Sequence, residues 1–299
     1  MSNKNMAGRA ADQARLLCHQ KKGAMPIAER KLEELNLIDD FLFNAVMAHP
    51  DFGEEFGRKL LKLLFNKEMK YVRVTSQRYF ASVDKDLKGA RVDLLLEVDD
   101  IAELKPELEA TLYDVEPDQN SGSNKVRVLP KRVRYYHAII DDRSLKSGEE
   151  PKNLKNVIVI FICSYDPFGR DRVWYTVQNR CIEEPDVPYD DGAKTIFLYT
   201  RGTKGQVSEE VRQFLRYMEK STSENAVNDT LRDFHHMVET VKKDREVSVK
   251  YMKQFERDNM MRAEGREEGI KEERENTERE RKRADALEAE LKLLKSKMI

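Results

Sequence analysis

The chain is poor in the features that would assign it a compartment or a partner by composition alone. It has only three cysteines, Cys18, Cys163 and Cys181, far apart and without metal-ligand spacing. A reduced, intracellular setting is the simplest reading of so few thiols. No apolar run approaches the roughly 18 residues of a membrane-spanning helix. The start Met1-Ser2-Asn3-Lys4-Asn5 is not followed by the apolar stretch of a secretory leader, so a cytoplasmic protein with no membrane partner is expected. Neither sign of charge dominates: 54 basic and 55 acidic residues leave a net charge of −1, and any basic surface has to be local.

What the chain does have is charge of both signs and length. Charged residues make up 36% of 299, against roughly 25% in an ordinary globular domain, and the length suits one large domain with an appendage. Residues 1–27 are polar and basic with no sustained period, and they read as a flexible arm. Lys4, Arg9, Arg15, Lys21 and Lys22 suit phosphate contact or an ordinary solvated tail. A charged helix is expected from Ile27 to Asn36. A second, capped by Asp39 or Asp40, should run from Phe41 to Ala48, and a third from about Glu54 to Phe65. Tyr71 to Thr75 and Arg78 to Val83 read as strands around a turn. Val157 to Ile162 is a continuous apolar run of strand length, as in a strand covered on both faces. Val173 to Val177 and Thr195 to Tyr199 complete the strand signals. Strands interleaved with helices point to an α/β fold with a mixed sheet.

Beyond Gly202 and Gly205 the pattern turns helical. Ser208 opens a helix ending near Lys220, and a longer amphipathic helix is expected from Val227 to Phe255. From Arg262 the sequence is nearly all Glu, Arg and Lys. There Ala284, Leu287, Leu291, Leu294 and Met298 repeat at spacings of three and four, which suits a single solvated helix or the seam of a short homodimeric coiled coil. The expected organisation is therefore an arm (1–27), a catalytic-type α/β domain (28–205), a helical region packed on it (206–261) and a charged helix (262–299).

The chemistry concentrates between Ala90 and Asp141. With a side-chain period of two, Asp93 shares a strand face with Arg91, Leu95 and Glu97, and Glu116 shares one with Leu112 and Asp114. Ionised carboxylates inside strands are costly unless paired or metal-bound. Two of them on neighbouring strands can hold a hard cation such as Mg2+, with the Pro117 carbonyl beside Glu116 as a third ligand. Asp40 is a further acidic candidate, though helix capping also explains it. A helix follows, with Pro130 in its first turn and Leu129, Val133, Tyr136 and Ile140 as its apolar stripe. Lys131, Arg132 and Arg134 lie on its other faces, where Arg132 and Arg134 suit phosphate contact. Tyr135 suits stacking on bases, while Tyr136 and His137 read as structural.

Three segments, Arg91-Val92-Asp93-Leu94, Tyr113-Asp114-Val115-Glu116 and Lys131-Arg132-Val133-Arg134-Tyr135-Tyr136, resemble the PD-(D/E)XK nuclease family transposases, also called the bacterial recombination-promoting nucleases. The likeness extends through Asp39-Asp40-Phe41-Leu42-Phe43, Tyr165-Asp166-Pro167-Phe168-Gly169, Asp190-Asp191-Gly192-Ala193 and Gly265-Arg266-Glu267-Glu268-Gly269, covering about residues 30 to 270. It implies a restriction-endonuclease-like fold, a central mixed sheet flanked by helices. It also implies hydrolysis of DNA phosphodiester bonds with Mg2+ or Mn2+, held by Asp93, Glu116 and the Pro117 carbonyl.

The chain departs from the family pattern at two places. Val92 stands where the pattern has proline. Asp118 stands where it has the catalytic lysine, or the glutamine that often replaces that lysine. Gln119, one residue later, would need a bulge at Pro117 to regain the Glu116 face; otherwise Lys131 would have to reach in from the helix. The alternative expectation is a catalytically inactive protein of this fold, acting as a DNA-binding or protein-interaction module.

Overall fold

The computed structural model describes residues 30–69, 71–80, 90–99, 111–119, 122–145 and 147–297. The expected arm, 1–27, lies outside them, as does Met298 of the expected seam. The chain divides into two units, Met1–Leu35 and Asn36–Ile299. Within the first, the described residues form one 3-10 turn, Leu32–Glu34, where the sequence suggests a full helix from Ile27 to Asn36. Its Glu34 carboxylate accepts a hydrogen bond from the Lys31 amide at 3.1 Å.

The second unit is α/β, a six-stranded mixed sheet with helices on both faces and a long C-terminal helix. Helices α1 (Asp40–Met47) and α2 (Gly53–Phe65) precede strands β1 (Tyr71–Phe80), β2 (Ala90–Asp99) and β3 (Thr111–Asp118). Helix α3 (Ser123–Ser144) leads to β4 (Asn156–Cys163), β5 (Trp174–Gln178) and β6 (Ala193–Tyr199). Helices α4 (Glu209–Glu219), α5 (Asp229–Lys243) and α6 (Arg245–Lys297) follow. The spatial order is β1-β2-β3-β4-β6-β5, with β3, β4 and β6 mutually parallel and the other neighbours antiparallel. The parallel centre needs cover on both sides, which accounts for the unbroken apolar run of β4.

Parity decides which residues meet which layer. Leu112 of β3, the odd-numbered residues Val157 to Cys163 of β4 and Phe197 of β6 pack beneath Leu129, Val133 and Ile140 of α3. The opposite face meets α1 and α2, with Phe65 of α2 against Tyr113 at 5.4 Å between ring centroids. A Cβ on Gly57 would sit 2.8 Å from Leu96 Cδ2, so the missing side chain lets α2 settle close onto β2. Phe234 of α5 stacks 4.3 Å from Phe56 and 6.0 Å from Phe214. Helices α4 and α5 therefore pack against α2.

Caps set the boundaries of these helices. Ser208 Oγ accepts from the Val211 amide and Asn228 Oδ1 from the Leu231 amide, each satisfying one otherwise orphaned N–H. Replacing Ser208 by alanine is expected to lower unfolding free energy by about 1 kcal/mol in urea titrations. An unchanged midpoint would show that the cap contributes nothing.

Three boundaries differ from the sequence expectations. β1 is one continuous strand, with no turn between Thr75 and Arg78. Helix α3 begins at Ser123, so Pro130 lies inside it, not in its first turn. The apolar stripe anchored on the sheet carries the helix past a residue that removes one backbone bond. The expected helix from Val227 to Phe255 breaks at Asp244, whose extended backbone ends α5 and whose Oδ1 accepts from the Glu246 and Val247 amides to start α6.

Helix α6 is 53 residues long. It touches the core near its start, where Tyr251 lies 4.9 Å from Phe41. Further along, Leu287 and Leu291 are each 55% exposed. Among the described residues no helix is long and apolar enough to cross a membrane.

Candidate functional site

The site begins with the even-numbered face of β3. Asp114, Glu116 and Asp118 all point between the sheet and α3, and all three are buried. Their parallel partners on β4 are Val159, Phe161 and Cys163, so the carboxylates are set among apolar side chains. Charges in such a setting require partners. One comes from α3. Arg132 Nη1 donates to Asp118 Oδ2 at 3.1 Å, and Nη2 lies 3.7 Å from Glu116 Oε2. Its guanidinium carbon also sits 4.9 Å from the Phe161 ring centroid and 5.6 Å from that of Tyr136. A planar cation suits both arrangements at once. Burial, which opposes its charge, is outweighed by Tyr136, Asp118 and Glu116, and the guanidinium pKa is raised.

Tyr165, just past β4, donates its hydroxyl to Asp118 Oδ2 at 3.2 Å. Burial first, then neighbouring negative charge, pushes the phenols of Tyr136 and Tyr165 up, and the same causes push the Cys163 thiol up to about 12. These groups stay neutral around the carboxylates, and Cys163 is not a nucleophile at ordinary pH.

The β2–β3 ladder ends at Leu95 opposite Asp114. Two residues beyond its end, the position on β2 that corresponds by number to Glu116 is Asp93. The Asp93 side chain itself lies outside the described residues. The end of the ladder also explains Pro117. The Asp118 carbonyl accepts from the Ser164 amide on the β4 side at 3.0 Å. Backbone groups alternate along a strand, so the Pro117 carbonyl and its missing N–H face the β2 side. Among the described residues no strand pairing remains there to be broken.

Pro117 consequently causes no bulge, and β3 pairs with β4 without a break from Thr111 to Asp118. The bulge that Gln119 would have needed to regain the Glu116 face is therefore not formed. The Gln119 amide instead donates to the Ile38 carbonyl at 2.9 Å and to Asp39 Oδ1 at 3.0 Å, toward the start of α1. Asp40 accepts from Asn44 within α1 at 2.9 Å.

Lys131 is exposed. Among the described residues, the cation that reaches the carboxylates is Arg132, which helical spacing alone puts on a solvated face. Arg134 and Tyr135 are exposed on the outer side of α3, together with Arg127, Val128 and Lys131. Sequence reasoning misses Asp118 and Tyr165 as members of the site. The period of two already puts Asp118 in line with Asp114 and Glu116, while nothing local announces Tyr165.

Oxygen donors of this kind suit a hard divalent cation. Among the described residues, no group of three or more His, Cys, Asp or Glu side chains is arranged to hold a metal ion. The donors that fit the role are Glu116 and the Pro117 carbonyl on the β2 side of β3, while Asp93, the third ligand expected from the sequence, has its side chain outside the described residues.

Farther along α3, His137 shares a hydrogen bond of 3.0 Å between Nε2 and Thr195 Oγ1. Burial lowers its pKa below the ordinary 6.5, against the opposing pull of Asp191. A lowered folded pKa means that the unfolded chain takes up the proton first. His137 is therefore expected to cost nothing above about pH 6.5 and to erode stability progressively as pH falls below it. In urea titrations between pH 7.5 and 5.5, His137→Gln should flatten that slope. An unchanged slope would refute the assignment.

No protein-family model, no curated protein and no solved structure matches this chain.

Proposed function

We propose that this protein is a metal-dependent endonuclease that hydrolyses DNA phosphodiester bonds, built on a restriction-endonuclease-like sheet. The observation that carries the reading is the shared face of β3, where Glu116 is buried beside Asp114 and Asp118. Bound there, Mg2+ or Mn2+ would polarise a phosphate oxygen and lower the pKa of a water. Glu116, the Pro117 carbonyl and Asp93 would hold the ion. Arg132 holds Glu116 and Asp118 in place from above. The outer side of α3, with Arg127, Lys131, Arg134 and the exposed ring of Tyr135, suits the phosphate backbone of the substrate. The order of segments resembling the recombination-promoting nucleases supports the same reading and connects it to recombination or mobile elements.

One observation favours a second reading, an inactive protein of the same fold that binds DNA or a protein. The lysine position holds Asp118, and that carboxylate is engaged by Arg132 and Tyr165, while Gln119 is turned away. The deciding assay is conversion of supercoiled plasmid to nicked or linear DNA with Mg2+ or Mn2+, and its absence in EDTA. Full cleavage by Asp93→Ala would remove Asp93 from the site. DNA binding in EDTA with no cleavage under either ion would establish the second reading.

A further inference from the structure

The segment from Asp166 to Val173, which follows Tyr165 directly, is pinned from both sides and presents cations and an aromatic ring outward. Asp166 accepts from the Phe168 amide at 3.1 Å, the Asp171 amide at 2.6 Å and the Tyr175 hydroxyl at 3.0 Å. The Asp171 carboxylate accepts from the Thr203 amide at 3.2 Å and from the Thr203 hydroxyl. Its carbonyl accepts from the Lys204 amide at 2.9 Å. A Cβ on Gly202 would lie 2.6 Å from the Val173 backbone nitrogen, so only glycine lets the two loops close this tightly.

These bonds consume both carboxylates of the segment. Arg170, Arg172 and Lys204 are exposed, and among the described residues none of the three has a carboxylate within ion-pair distance. Phe168 is 40% exposed although its ring is held edge-on against Tyr175 at 4.9 Å and Phe197 at 5.1 Å. Phe168, Arg172, Trp174 and Tyr175 border a shallow cavity of about 460 Å³. The site lies just beyond the C-terminal end of β4, the edge at which open α/β sheets place their ligands. Tyr165, three residues before Phe168, is bonded to Asp118.

We infer that this rim binds single-stranded nucleic acid, a base stacking on Phe168 while Arg170, Arg172 and Lys204 hold the flanking phosphates. The inference deepens the nuclease reading and rests on it for the direction of the strand toward Glu116. A preorganised aromatic face beside unpaired guanidinium groups serves any base, because every base has a π-face. It does not serve duplex DNA, whose bases are stacked on one another. An unpaired strand, a frayed end or a flipped nucleotide therefore suits this rim better than an intact duplex does.

The test is fluorescence anisotropy of a labelled oligo(dT) in EDTA, where no cleavage occurs, against the same label in a duplex. Wild-type protein should bind the single strand more tightly than the duplex. Phe168→Leu should weaken single-strand binding about 5- to 160-fold, the range that one base–aromatic stack is worth, and Phe168→Trp should restore it. The double variant Arg170→Ala/Arg172→Ala should reduce the slope of log affinity against log salt by about 0.7 for each phosphate that is no longer neutralised. Unchanged affinity in Phe168→Leu, or equal affinity for duplex, overturns the inference and leaves plasmid cleavage to stand or fall separately. Single-strand binding that depends on Phe168 in a protein without cleavage upholds the rim and sinks the catalytic reading instead.

Discussion

Glu116→Gln is expected to abolish divalent-dependent plasmid nicking, by at least about 100-fold, while leaving the fold in place. The substitution keeps the shape of a buried side chain and removes the charge that a hard cation needs. Removing groups that merely support a metal ligand costs about 10- to 100-fold in affinity or activity, and a direct ligand should cost no less. The fold is expected to tolerate the change because Arg132 keeps Asp118, its closer partner at 3.1 Å against 3.7 Å. Quantifying supercoiled plasmid over time, beside a thermal unfolding curve, separates the two effects. Cleavage within a few-fold of wild type would remove Glu116 from the chemistry, and with it the β3 site.

Arg132 should give the largest loss of stability among single changes at the site. Its guanidinium is partnered with two carboxylates that are buried in an apolar layer. Removing one member of a buried ion pair leaves the other charge uncompensated and costs about 3–5 kcal/mol. The Arg132 side chain is 31% exposed, which lets water relieve part of the burden and places the expectation for Arg132→Leu near the lower end, about 3 kcal/mol. Arg132→Lys should recover only part, since an ammonium cannot bridge two carboxylates and face two rings together. The double variant Arg132→Leu/Asp118→Asn should be more stable than the sum of its single changes, because it removes both ends of the closer pair. Urea titrations of the four proteins complete the cycle; strict additivity would show that the pair contributes nothing.

The same residue illustrates how far helix periodicity carries. The stripe Leu129, Val133, Tyr136 and Ile140 is readable from spacing and meets the sheet as expected, Tyr136 among the packed rings. Arg132, one turn before Tyr136, lies at the flank of that stripe and turns inward only because acceptors stand below it. A helical wheel contains no acceptors. Gln119 is a second case. Its distance from the Glu116 face follows from strand parity, but no bulge brings it back, because β3 stays in register with β4 through Pro117. Whether proline forces a bulge depends on which neighbour its backbone faces, and β2 pairing has already ended on that side. The break between α5 and α6 escapes a reading of spacing because both sides of Asp244 keep the helical period, and its capping geometry exists only in three dimensions.

Local period and apolar content were enough for the α/β class, nearly every strand, the burial of β4 and the common face of Asp114 and Glu116. Each of these depends on residues close together in the chain. Which cation meets those carboxylates, where Gln119 points, and how Asp166 and Asp171 are consumed so that Arg170 and Arg172 face outward came only with the folded arrangement. Those outcomes depend on groups brought together from distant parts of the chain, and a local pattern holds no record of them.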